Sequence, residues 1–215
     1  YKTNNEDAAR STRTDWLHNG GGLGLDIEGQ GMTAYVWDGG VARSTHQEYD
    51  GIGGENRFTN ADSGSQNFHA AHVMGTIISS GLESDAKGMA PQALGVGYDW
   101  NNDITEATAA AANGMMISNL SYGFGASSIP DAWFGQYISL SRDWDELMYN
   151  SPYYMMVVAA GNDGNDNSSN DDPLDGNPFF DKLSGFQTSK NNIVVANGLD
   201  ASIAVSYTHL RAHET

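Results

Sequence analysis

The chain has 215 residues, with 10 Lys and Arg against 27 Asp and Glu, for a formal charge of −17. A polyanion releases its counterions only to a basic footprint, so nucleic-acid binding is excluded first. With 39% hydrophobic residues the chain can bury a sizeable core in one domain, two at most, and the absence of Cys removes disulfides, thiolate metal sites and a Cys nucleophile. The longest apolar run, residues 153–160, falls far short of a membrane span. The sequence opens on Tyr1 with no basic-then-apolar leader, so a longer reading frame, with any targeting signal upstream, is expected.

Strands are predicted at residues 33–37, 93–97, 115–120, 154–159 and 193–196, each a short apolar run bounded by Gly, Asn or Asp. Helices are predicted between them. Residues 69–80 are rich in small side chains, and 105–113 are nearly all Ala and Thr, with Thr105 as the cap. In 134–150, Phe134, Tyr137, Ile138, Trp144, Leu147 and Met148 recur roughly along one face. Apolar strands separated by helices imply an α/β fold, a mostly parallel sheet flanked by helices. The ligand crevice of such a sheet lies beyond the carboxyl ends of its strands, which directs attention to the polar residue after each one.

Two strands end informatively. The first runs into Asp38, Gly39 and Gly40; the fourth runs into Gly161, Asn162, Asp163 and Gly164. Either alone is also ordinary turn chemistry, because Asp and Asn beside Gly are common turn formers. The third group is His69, at a helix start and followed by small residues. It has the form of a general base whose partner must hold the ring tautomer, and equally of a hydrogen-bonded structural His. A zinc site is disfavoured: His69 and His72 stand three apart with no Glu between them, whereas the zincin pattern places two His four apart around a Glu.

Taken together, these residues resemble the subtilisin-like serine proteases, the subtilases. Y-V-W-D-G-G at 35–40 is similar to the family's Asp block, and H-A-A-H-V-M-G-T at 69–76 resembles its His block. S-Y-G at 121–123 resembles the substrate-binding strand, and A-A-G-N-D-G at 159–164 the oxyanion block. G-M-A-P at 88–91 also fits, so the resemblance covers roughly residues 20–198. The wording at 44–51 and 97–103 resembles secreted subtilases of Bacteroidetes-type bacteria.

The resemblance implies a subtilisin-like three-layer architecture and a serine endopeptidase acting through an Asp-His-Ser triad. Asp38 would orient His69, His69 would deprotonate the serine, and Asn162 would donate to the oxyanion. Ser121, Tyr122 and Gly123 would pair with an extended substrate, while Ala159, Ala160 and Gly161 would wall the primary specificity pocket. His72 would be structural. The small wall residues lead to an expected preference for large apolar or aromatic residues before the cleaved bond.

The sequence departs from the family in two ways. Ala70 and Ala71 replace the usual Gly and Thr, and the G-T-S-M-A-x-P block that carries the nucleophile is absent. Ser202 and Ser206 lack its surroundings, so the expectation is a partial catalytic domain, residues 1–204, inactive as written. Residues 205–215, V-S-Y-T-H-L-R-A-H-E-T, resemble one translated frame of a transposase sequencing adapter and are expected to be a foreign read-through tail.

No cofactor is expected to be needed for catalysis, no metal ligand is assigned, and any calcium is expected to be structural. Polypeptide substrates, a monomeric state, no nucleic acid, no membrane span and a secreted or cell-surface location complete the reading. The alternatives are a non-catalytic acidic extracellular binding module, prompted by the Asn-, Asp- and Ser-dense residues 161–177, and a degenerate, inactive subtilase. The spacing in 161–177 lacks the Gly of an EF-hand loop, which favours a solvated surface loop over a calcium site.

Overall fold

Six strands, β1 (Thr33–Asp38), β2 (Phe58–Asn60), β3 (Leu94–Asp99), β4 (Ile117–Leu120), β5 (Met155–Ala159) and β6 (Ile193–Val195), form a single sheet. Every pairing is parallel and the order is β2-β3-β1-β4-β5-β6. The computed structural model describes residues 5–164, 166 and 182–198. Helices α1 (Asn5–Thr12), α2 (Phe68–Ile78), α3 (Asp103–Ala112) and α4 (Ser139–Asn150) accompany the sheet.

The pleat of β1 explains the layering. Successive side chains point to opposite faces, so Val36 and Trp37, both buried, feed two different cores. Val36 packs with Ala70, Met74 and Ile78 of α2. Trp37 packs with Ala107 and Ala110 of α3 and with Trp144, Leu147 and Met148 of α4. Fully buried aromatics dominate the second core, and truncating Trp144 to Ala costs about 3–5 kcal/mol. On the other face Gly95 lets α2 close onto the sheet, since a Cβ there would sit 2.7 Å from the Met74 sulfur and 2.8 Å from Ile78 Cδ1.

From β1 the chain goes out to the edge strand β2, returns to lay β3 between β2 and β1, and then crosses over to lay β4, β5 and β6 on the other side. The strand order therefore reverses between β1 and β4, the place where parallel sheets open a crevice. Among the described residues the α2 side of β4–β6 is poorly covered. Ile117, Met155, Ile193 and Val195, aligned on that face by register and pleat, are 40%, 37%, 49% and 51% exposed.

The five expected strands are present with ends shifted by one or two residues, and the α/β class is correct. The three-residue β2 and the helix α1 were not anticipated, because neither carries an apolar period. Thr105 is not the cap of α3. That helix starts at Asp103, after Asn102 has turned the chain with φ +66° and no side-chain capping bond. Helix α4 starts at Ser139 rather than 134, because Tyr137 leaves the helical face to donate to Asp145 and Ser141 Oγ accepts the Ile138 N–H.

Candidate active site

Asp38 ends β1 and is 3% exposed. Its Oδ1 accepts the N–H of Gly39 at 2.7 Å, which fixes the carboxylate against its own turn. Gly40 must be glycine, since its φ is +136° and a Cβ would meet the Ser65 carbonyl oxygen at 2.7 Å. The second residue of α2 is His69, and its Nδ1 lies 2.9 Å from both Asp38 oxygens. A carboxylate can only accept, so Nδ1 carries the proton and Nε2 is left with its lone pair.

Asn67 aims that helix. It is the N-cap, its Oδ1 accepting from the N–H groups of His69 and Ala70, and its Nδ2 donates to the Gly39 carbonyl at 2.7 Å. One side chain therefore joins the turn that carries Asp38 to the helix that carries His69. Its signal in the sequence is an Asn directly before a helix start.

The His69 side chain, 49% exposed, opens onto a cleft of about 370 Å³ at the carboxyl edge of the sheet. One wall is Ser121, Tyr122 and Gly123 after β4; the other is Ala159, Ala160 and Gly161 at the end of β5. Asn162 is exposed at the same cleft. All nine sequence-selected residues thus converge, eight lining the cleft and Asp38 buried behind His69. The turn after β5 is held by Asp163, whose Oδ2 accepts the Ala126 N–H at 2.8 Å.

Tyr122 is a fixed part of its wall. Its hydroxyl donates to Asp103 Oδ2 at 2.7 Å, and burial together with the Asp103 charge pushes the phenol far above its ordinary range, so it stays neutral. The indole of Trp100 meets Tyr122 edge-on at 5.4 Å and covers Gly39. Ser121 Oγ accepts from Asn119 at 2.8 Å, and among the described residues no hydroxyl is hydrogen-bonded to Nε2 of His69.

The other described histidines stand apart. His18 is buried against the Met89 carbonyl, while His46 and His72 line a separate cavity beside Tyr49. Among the described residues no group of three or more His, Asp or Glu side chains is placed to hold a metal ion. Most of the acidic segment 161–177 lies outside the described residues.

These features define a parallel α/β protein with an aspartate-held histidine in the crevice where strand order reverses. The chain belongs to the Subtilase family of serine peptidases, whose sequence model matches residues 29–209. No match is found among curated protein sequences. The fold is similar to that of MycP1 from the ESX-1 type VII secretion system, with a TM-score of 0.55 and 17% identity over 90% of this chain and 57% of that one. A structure of MycP1 from Mycobacterium smegmatis gives 0.51 and 19% over 80% and 48%. The chain spans about half the length of these structures.

Proposed function

We propose that this chain is the part of a secreted or envelope-associated serine endopeptidase that supplies the acid–base pair, the oxyanion donor and the substrate walls. The observation that carries the proposal is the single bond system in which Nδ1 of His69 faces both oxygens of buried Asp38 at 2.9 Å. With that nitrogen committed, Nε2 takes the proton from a serine hydroxyl as it attacks the scissile carbonyl. His69 then returns the proton to the departing amine. Asp38 holds the ring and stabilises the imidazolium. The Asn162 amide donates to the oxyanion, a charge that exists only once the tetrahedral intermediate forms. The backbone of Ser121, Tyr122 and Gly123 pairs with an extended polypeptide.

The serine is proposed to lie on sequence that the 215 residues do not contain. The missing G-T-S-M-A-x-P block and the α2 side of β4–β6, thinly covered among the described residues, support this, because apolar strand faces of that kind are normally packed under further chain. Calcium, if bound, is proposed as a structural ion, and the working unit as a monomer.

Labelling with a serine-reactive phosphonate tests the proposal. The product of an uninterrupted gene should be labelled and should cleave peptides, and the 215-residue chain should do neither. Labelling of the short chain at Ser202 or Ser206 would overturn the assignment of the nucleophile.

A further inference from the structure

We infer that Gln187 closes the inner end of the primary specificity pocket and selects a short side chain bearing an acceptor oxygen. This inference rests on the peptidase reading above. Gln187 sits in the 3-10 turn Gly185–Thr188, just before β6, and is 4% exposed. It lines the same cleft as His69 and Asn162.

Both ends of its amide are committed. Nε2 donates to the Ala159 carbonyl at 2.8 Å, and Oε1 accepts the Ser184 N–H at 3.0 Å. A carbonyl on one side and an N–H on the other fix which end is nitrogen. That nitrogen stands between the two walls: a Cβ built on Gly123 would lie 2.9 Å from it, and one on Gly161 would lie 3.8 Å from it. The space that a side chain on Gly123 would take is therefore filled by the Gln187 amide, which also stands within van der Waals reach of Gly161.

Two consequences follow for a substrate side chain. A large apolar or aromatic group could reach full depth only by displacing the amide, which would leave the Ala159 carbonyl and the Ser184 N–H without partners. A short side chain stops above the amide, and the second hydrogen of Nε2 is the donor it meets. Ser, Thr and Asn satisfy both conditions; Phe, Tyr and Leu satisfy neither. This reverses the preference expected from wall composition alone.

The test uses the uninterrupted gene product and peptide p-nitroanilides that differ only in the last residue, Ser, Asn, Leu or Phe. The wild-type enzyme should turn over the Ser and Asn substrates with kcat/KM at least about tenfold above Phe. Gln187→Ala should shift the Phe-to-Asn ratio by about tenfold or more toward Phe, with phosphonate labelling retained. A wild-type preference for Phe or Leu overturns the inference, as does an unchanged ratio in Gln187→Ala. The wild-type series stands alone if that variant does not fold. Absence of labelling in the wild type overturns the peptidase reading, and this inference with it.

Discussion

Asn67 donates from Nδ2 to the Gly39 carbonyl at 2.7 Å while its Oδ1 accepts the His69 N–H at 2.7 Å, so one amide spans the two segments of the candidate catalytic pair. Its loss affects both stability and alignment. Asn67→Ala is expected to cost about 1–2 kcal/mol in unfolding free energy, as for other N-caps, and to lower kcat more than it raises KM. Asn67→Asp keeps the cap but sets an acceptor oxygen against the Gly39 carbonyl in place of the donor, so it should recover part of the stability and less of kcat. Denaturation midpoints and steady-state kinetics of the two variants would separate the two effects.

Asn162 has a different signature. Asn162 lines the cleft, and in the proposed role its amide acts on charge that develops only in the transition state, so Asn162→Ala should lower kcat by on the order of 10²–10³ with KM nearly unchanged. His69→Ala should be more damaging, because it removes the proposed base itself. A change confined to KM in Asn162→Ala would reassign that residue to ground-state binding.

Glu48 gives the fold an acid-sensitive support. Burial by itself would raise its pKa, but the N–H groups of Glu83, Gly81 and Leu82 and the Ser80 hydroxyl outweigh burial and hold it below the usual value of 4.5. A depressed carboxylate contributes stability that is fully present above its unfolded pKa and is lost as pH falls through the folded one. Unfolding free energy should therefore decline below about pH 4.5, and Glu48→Gln should flatten that decline while destabilising the protein at pH 7. Urea titrations at pH 7, 5, 4 and 3 would show both trends.

Glu106 has the opposite sign. Burial first, and then the charges of Asp62, Asp103 and Asp99, raise its pKa, although Trp37 Nε1 donates to Oε2 at 3.0 Å and partly compensates. A raised carboxylate loses stability as pH climbs from its unfolded to its folded pKa, so the ionised group is a net cost at neutral pH. Glu106→Gln keeps an acceptor for the indole and removes the charge. Its melting temperature should exceed that of the parent at pH 7, and the difference should vanish near pH 4.

The sequence alone placed five of the six strands, because short apolar runs between Gly, Asn and Asp can hardly be anything else in a chain this rich in intervening helix. It also supplied the residues of the pair and the cleft, since Asp38 ends β1, His69 stands in the first turn of α2 and Asn162 lies in the Gly-framed turn after β5, and element ends are where turn residues and function coincide. Local pattern failed where the deciding force is long-range. β2 has three residues and exists through pairing with β3, and α4 starts late because Tyr137 is drawn to Asp145.

The tertiary structure alone decided how the pieces meet. That Asp38 is buried and chelates one nitrogen of a ring 31 residues away depends on α2 closing over Gly95, which no local rule reports. The same holds for the specificity pocket. Ala159, Ala160 and Gly161 read in sequence as a roomy wall, whereas the amide of Gln187, far along the chain, lies between Gly123 and Gly161 in the fold. Local propensity determines which backbone a segment adopts. Which side chain fills the gap between two segments is set by packing, and packing is a property of the whole chain.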